Sequence, residues 1–392
     1  MADKGKRIIG FDAHPDLFSA AALNGTDTAA AMQWVHDRQP LPNLEKWAKK
    51  HLREGDTVVL EASGNSFEIA GRLHAIGHIA LVLESAQASK IRENFCNDDK
   101  HSAMKLARVY ASGLAKEVWR PDTEVREHRT ILFAYRNAAK DATRLSNRIR
   151  SWLNEYCVRL PKGTRLSLPS GQTCALAQRE WSKMQRALIE QMFAQLWAAQ
   201  AQKKQLEKIM VAELAQRPQW AQLWRLMGIR HRVAFALMAI LGEVHRFPTA
   251  KKLVGYLGLS PRKKQSGNNS KGREQGMGHT GRGDVRAMLI QSAQNALNQK
   301  GSPLHKWGWR LTLSKSRNQA VAAVARKLTV SIWHLLMGHH TTLVEASEHL
   351  REKLAKLATV LGKHWLKEND YPNREAFVLA QIESIKNIPK TT

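Results

Sequence analysis

The sequence predicts an α/β domain followed by an all-α part: a mixed sheet with helices, then a long coiled-coil-like helical arm, then a mostly helical second domain. Three observations predict it. Residues 1–100 alternate short apolar runs with turns, whereas residues 123–156 and 178–216 keep helical spacing throughout. At 392 residues and 43% hydrophobic content, the chain is long and apolar enough to bury two or three cores.

The strand signals come first, at Arg7–Phe11, Phe18–Asn24, Ala29–His36, Thr57–Glu61 and His78–Leu83, with Gly25 in one of the turns. Between the last two, Ile69, Leu73 and Ile76 recur at helical spacing within Asn65–Ile76, so that pair reads as strand, helix, strand. A helix is expected at Asp99–Ser112, and Pro121-Asp122-Thr123 starts a longer one ending near Tyr156. That helix carries Arg126, Arg129, Arg136, Lys140, Arg144 and Arg148 in one stripe, either a surface tracking a phosphate backbone or an ordinary solvated face. Pro161, Gly163, Pro169 and Gly171 mark a linker, and Gln178–Gln216 then reads as one helix stopped by Pro218. Its stripe of Met184, Leu188, Met192, Leu196, Leu206, Met210 and Leu214 suits a dimerising arm or packing on the preceding long helix equally well. Short helices, a Gly- and Lys-rich loop at Ser260–Gly283, helices through Met337 and an amphipathic tail with Leu350, Leu354, Leu357 and Leu361 complete the chain. The expected boundaries are 1–157, 158–217, 218–345 and 346–392.

Charge narrows the partner. Lys and Arg number 61 against 34 Asp and Glu, a net +27 that draws polyanions by counterion release. A membrane span is not expected, because the longest apolar run, Val233–Leu241, falls well short of the roughly 20 residues that a bilayer requires. Cys96, Cys157 and Cys174 show no CxxC spacing, so neither a disulfide framework nor a structural zinc site is expected.

Asp12 closes the first strand and Glu61 the fourth, and the carboxylates converge if these strands are neighbours. Asp99, with Asp98 beside it, opens the later helix, where an acid also suits the positive helix end. Acids from strand one, strand four and a following helix make the ribonuclease-H-like arrangement for paired Mg²⁺ ions. A second constellation surrounds Ser266-Gly267 with Arg262, Lys263, Lys264, Lys271, Arg273, Arg282 and Arg286, a composition suited to phosphate. Leu223–Ala234 resembles a helix-hairpin-helix with Gly228 in the hairpin and Arg230 where a second glycine is expected.

Together the motifs resemble a transposase of insertion-sequence family 110, the group that includes the Piv-type DNA invertases. IIGFDAH, VVLEASGN and DDKHSAMKLA resemble that family's RuvC-like Asp-Glu-Asp-Asp domain. LMGIRHRVA, FPTAKKLVGYLGLSPRKKQSG and GRGDVRAMLIQSA resemble its serine-bearing domain. The resemblance places Asp12, Glu61 and Asp99 on the first three acids and Ser266 on the nucleophile. Ser102 stands at the fourth acid, a neutral and weaker ligand: either it coordinates directly or through water, or Asp98 or His101 compensates, which puts the second metal in question.

The resemblance implies an RNA-guided recombinase. It would bind an element-encoded guide (bridge) RNA, act on donor and target double-stranded DNA, use Mg²⁺ at two ions per site, and work as a dimer to tetramer. Strand cleavage would pass through a covalent phosphoserine, at a site built from the acids of one protomer and the serine of another. The implied location is the bacterial cytoplasm, at the nucleoid. Two alternatives stand beside it: a stand-alone RuvC-like nuclease or junction resolvase, which would need the acids and not Ser266, and a catalytically decayed nucleic-acid-binding protein.

Overall fold

A computed structural model of the chain describes residues 6–84, 99–264, 273–277, 281–300, 303–339 and 347–389. By packing, the chain divides into two compact units, Met1–Pro121 and Asp122–Thr392.

In the first unit the elements follow as β1 (Arg7–Ala13), β2 (Leu17–Asn24), β3 (Trp34–Pro40), α1 (Leu44–His51), β4 (Thr57–Glu61), α2 (Ser66–Ala75), β5 (Ile79–Leu83) and α3 (Asp99–Ala111). The sheet order is β3-β2-β1-β4-β5. The β1–β2 and β2–β3 pairs are antiparallel, whereas β1–β4 and β4–β5 are parallel, giving the expected mixed sheet. Strand alternation sorts the two faces. Ile9 and Phe11 point with Val58 and Leu60 into a core closed by Leu44 and Trp47 of α1 and Leu73 of α2. Ile8 and Val59 face the other way, onto Leu106 and Ala107 of α3.

Two local features depart from expectation. The third strand begins at Trp34 rather than Ala29, because Asp27 Oδ1 accepts from the Ala29 amide at 2.9 Å and holds a turn there. Helix α1, which the strand-like reading of residues 1–100 does not foresee, buries Leu44, Trp47 and Ala48. The base of the sheet is pinned by Arg7, whose Nε donates to Asp56 Oδ1 at 2.9 Å with both side chains 3% exposed.

The second unit begins with α4 (Thr123–Glu155), α5 (Pro169–Ala177) and α6 (Lys183–Ala215). Asp122 Oδ1 caps α4 by accepting from the Val125 amide at 2.7 Å, and Ser182 with Gln185 forms a capping box on α6. The two long helices run antiparallel: Leu153 and Ile149 share one core with Ile189 and Phe193, while Leu132 and Tyr135 share another with Met210 and Leu214. Helix α4 therefore belongs to the second unit, and the boundary between units falls after Pro121 rather than at 157. The expected linker is partly structure too. Pro169 opens α5, and Gly171 is buried so closely that a Cβ there would lie 2.4 Å from the Arg165 carbonyl oxygen. Of the α6 stripe, Met192, Leu196, Met210 and Leu214 pack within the chain, whereas Met184 is 83% exposed.

The remaining elements are α7 (Pro218–Ala221), α8 (His231–Leu241), α9 (Ala250–Tyr256), β6 (Pro261–Lys264), β7 (Arg273–Met277), α10 (Gly283–Asn298), α11 (Pro303–Thr312), α12 (Arg317–Leu336), α13 (Ser347–Glu368, kinked at Gly362) and α14 (Arg374–Lys386). The long apolar run is α8, buried from Val233 to Leu241 at the centre of this core. Among the described residues no helix is long and apolar enough to cross a membrane. Leu350, Leu354, Leu357 and Leu361 also lie in this core, so the amphipathic tail is an integral layer of the second unit.

One partly buried charge cluster makes this unit sensitive to acid. Glu207 on α6 accepts from His231 Nε2 at 2.6 Å and from Arg232 Nε at 2.7 Å, at the start of α8. Burial alone would raise its pKa, but the hydrogen bonds from His231 and Arg232 overcome burial and lower it from 4.5 to about 2. A carboxylate depressed on folding stabilises fully above its unfolded pKa, so about 3 kcal/mol is present above pH 4.5 and disappears as pH falls through about 2. Denaturant titrations between these limits should show this loss for the native chain and a flatter profile for Glu207→Gln.

Candidate active-site residues

The end of β1 gathers the first set of candidates. Gly10, Asp12 and His14 alternate onto the face that meets α3. A Cβ on Gly10 would lie 1.9 Å from the Ala103 carbonyl oxygen and 2.7 Å from the Ala107 amide nitrogen, so the helix backbone rests directly on the strand. That close approach brings Asp99, the first residue of α3, to the strand end. There Asp12, His14 and Asp99 each offer a ligand atom, all within 4.8 Å of one another, and His14 Nε2 lies 3.1 Å from Asp99 Oδ1. Carboxylate oxygens and an imidazole nitrogen at such separations form a donor set able to hold a divalent cation.

Glu61 sits where the sequence places it, one residue past the parallel Phe11–Leu60 pair and therefore beside Asp12 along the sheet edge. It is half-buried and lies outside the close group of three. Ser102 is half-buried on α3 three residues after Asp99, on the same helical face. Asp98 lies outside the described residues. His14 is the member that the residue spacings do not single out, although it follows Asp12 at the two-residue period of a strand. Its backbone is held on both sides: its amide donates to the Leu17 carbonyl at 2.8 Å and its carbonyl accepts from Asn65 Nδ2 at 2.9 Å.

In the second unit the basic stripe of α4 divides into two kinds of residue. Arg129 is half-buried, and its guanidinium donates to the carbonyls of Ala239 (3.0 Å) and Ile240 (3.3 Å), capping the carboxyl end of α8. Burial lowers its pKa, with nearby Tyr256 opposing. Arg136 pairs with Asp284 at 2.7 Å, and Arg126 is also partly buried. Lys140, Arg144 and Arg148 are exposed, Arg144 with Asp141 at 3.2 Å beside it.

The expected Gly- and Lys-rich loop proves to contain an antiparallel pair, β6 and β7, carrying Arg262, Lys263, Lys264 and Arg273. Ser266, Gly267 and Lys271 lie outside the described residues. The base of this pair is tightly fixed. Gly281, at φ +85°, leaves no room for a side chain against Gly258 and Tyr256, and the Arg282 amide donates to the Tyr256 carbonyl at 3.1 Å. Arg282 also donates to Asp284 (2.9 Å), and Arg286 to the Gly258 carbonyl (3.2 Å). Asp284 is held below the usual carboxylate range: burial opposes this, and hydrogen bonding from Arg282 prevails. Gly228, read as a hairpin glycine, lies at φ +74° in the turn before α8 and packs against α10, where a Cβ would lie 2.5 Å from the Ser292 carbonyl oxygen.

A family described as "Transposase IS116/IS110/IS902 family" matches residues 221–307, the stretch that runs from α7 through the β6–β7 pair into α11. Over 350 residues the chain is 25% identical to a transposase for insertion sequence element IS1111A from Coxiella burnetii, covering 86% of this chain and 92% of that protein. It is 24% identical over 339 residues to the pilin gene-inverting protein of Moraxella lacunata, covering 82% of this chain and 93% of the relative. The chain is similar to transposases of the IS116/IS110/IS902 family. Transposases act on DNA, and the net charge of +27 suits that partner. The family match falls on the second unit, whereas the two relatives align along most of the chain.

Proposed function

We propose that this transposase cuts and rejoins donor and target DNA under the direction of an element-encoded RNA, with Ser266 as nucleophile and a divalent-metal site at Asp12, Glu61 and Asp99. The observation that carries the reading is the Asp12–His14–Asp99 group at the end of β1, beside Glu61 on the parallel neighbour β4. The sheet order β3-β2-β1-β4-β5 supports a RuvC-like, ribonuclease-H-like assignment for the first unit, because it brings those strand ends together. Mg²⁺, two ions per site, would polarise the scissile phosphate and lower the cost of ionising the attacking hydroxyl. Asp12, Glu61 and Asp99 would hold it, with Ser102 one helical turn from Asp99.

The Ser266 oxygen would bond to phosphorus as one phosphorus–oxygen bond of the strand breaks, leaving a phosphoserine and a free sugar hydroxyl. Attack by a sugar hydroxyl then releases the serine, so the phosphodiester energy is conserved. Arg282 and Arg286 brace the base of the strand pair leading to Ser266, and the cations along β6 and β7 suit the developing negative charge. Guide pairing would carry sequence choice while the protein holds backbone, through Lys140, Arg144 and Arg148 among others. Oligomeric assembly, joining the acids of one protomer to the serine of another, completes the reading.

The deciding experiment is strand joining in vitro with Asp12→Asn. DNA and RNA binding should persist while Mg²⁺-dependent cleavage falls by roughly three orders of magnitude, as expected when metal-assisted chemistry is lost. Undiminished cleavage would remove the metal site from the proposal. The stripe on α4 offers a second test. Arg144→Ala with Arg148→Ala should weaken nucleic-acid binding and flatten its salt dependence, the slope falling by roughly 0.9 for each phosphate that is no longer neutralised. Arg129→Ala should instead cost about 1–3 kcal/mol of stability with little change in that slope, because its hydrogen bonds go to α8.

A further inference from the structure

The resemblance places Ser102, a neutral hydroxyl, at the fourth position of the acid set, and the tertiary structure offers a stronger donor. His14 Nε2 lies 3.1 Å from Asp99 Oδ1, and a carboxylate oxygen of Asp12 lies within 4.8 Å of both. Adjacent donors on one cation, at bond lengths of about 2.1 Å, sit about 3 Å apart. Building on the metal-site reading above, we infer that His14 supplies the donor that the fourth acid would have supplied, and that its imidazole shifts the site's preference from Mg²⁺ toward Mn²⁺.

Three observations carry this. First, the His14 side chain is 49% exposed and Asp99 40%, so their pairing contributes little to folding, yet the geometry is close. Second, the His14 backbone is fixed by hydrogen bonds to Leu17 and Asn65, which positions the ring at the strand end. Third, Gly10 lets α3 rest on β1 and thereby sets Asp99 opposite the imidazole. With Nε2 directed at the cation, the ring proton resides on Nδ1. Imidazole is a poor partner for Mg²⁺ and Ca²⁺ and a good one for transition metals, so a mixed oxygen and nitrogen set discriminates where an all-carboxylate set does not.

The test uses the full-length protein loaded with Mn²⁺ and read by pulsed electron paramagnetic resonance, which detects a coordinated histidine nitrogen. The native chain should show nitrogen coupling, Ser102→Ala should keep it, and His14→Asp should lose it while still binding Mn²⁺. In His14→Asp the ratio of Mn²⁺ to Mg²⁺ affinity should fall by roughly tenfold or more. If Mn²⁺ binds in an Asp12-dependent manner without nitrogen coupling, or if coupling survives His14→Asp, the inference about His14 is wrong and the metal reading stands. If Mn²⁺ binding is absent, or indifferent to Asp12→Asn and Asp99→Asn, the metal reading itself fails.

Discussion

Gly10→Ala should leave a folded protein that binds divalent metal at least tenfold more weakly and joins DNA roughly a hundredfold more slowly. The added methyl would meet the Ala103 carbonyl oxygen at 1.9 Å and the Ala107 amide nitrogen at 2.7 Å. Both atoms are helix backbone, so no side-chain rotation relieves the clash and α3 must lift from β1. Overpacking of this kind costs about 1–3 kcal/mol, which a domain of this size survives. The functional effect is larger because Asp99 lies one turn before Ala103 and travels with the helix, away from Asp12 and His14. A displacement of about 1 Å at reacting groups can cost roughly a hundredfold in rate. Circular dichroism establishes the fold, and calorimetric Mn²⁺ titration reads the site. Native metal affinity in a folded Gly10→Ala chain would show that the α3–β1 approach does not set the donor geometry.

Ser266→Ala should abolish joining by roughly a thousandfold or more while leaving RNA and DNA binding intact. Under the proposed mechanism this variant also loses the covalent protein–DNA adduct, which the native chain should give as a species that survives denaturing electrophoresis. Two outcomes separate the competing readings. Metal-dependent cutting that persists without Ser266 would identify a nuclease that uses the acids alone. Recombination that persists would eliminate the serine mechanism. Neither outcome is confused with failure to fold, because β6, β7 and the Gly258–Gly281 packing that fixes their base do not include Ser266.

Much of the fold is legible in the sequence because its signals are local. Asp122 before a long periodic run announces α4, and the apolar runs at Arg7, Thr57 and His78 announce β1, β4 and β5. The start of the third strand is misread where a single Asp27 side chain turns the backbone, and α1 escapes notice where helical and strand periods are hard to tell apart in a short run. The stripe on α4 shows a different limit. Arg129, Arg136 and Arg144 are equivalent in spacing, yet one caps a helix, one braces Asp284 and one faces solvent. Which of these a cation does depends on what packs against its face, and spacing within one helix does not contain that information.

By itself, the sequence determines the resemblance to a transposase family, the order of a sheet domain before a helical one, and the acids at the ends of two strands. Those features are written in motifs and in periodicity along the chain, and local patterns preserve both. Only the tertiary structure decides that α4 packs on α6 and belongs to the second unit, that the carboxyl-terminal leucines complete the helical core, and that His14 joins Asp12 and Asp99. These depend on contacts between residues far apart in sequence. The group at the strand end illustrates the reason: Asp99 reaches His14 because a glycine in β1 leaves room for a helix that begins 89 positions later, at Asp99.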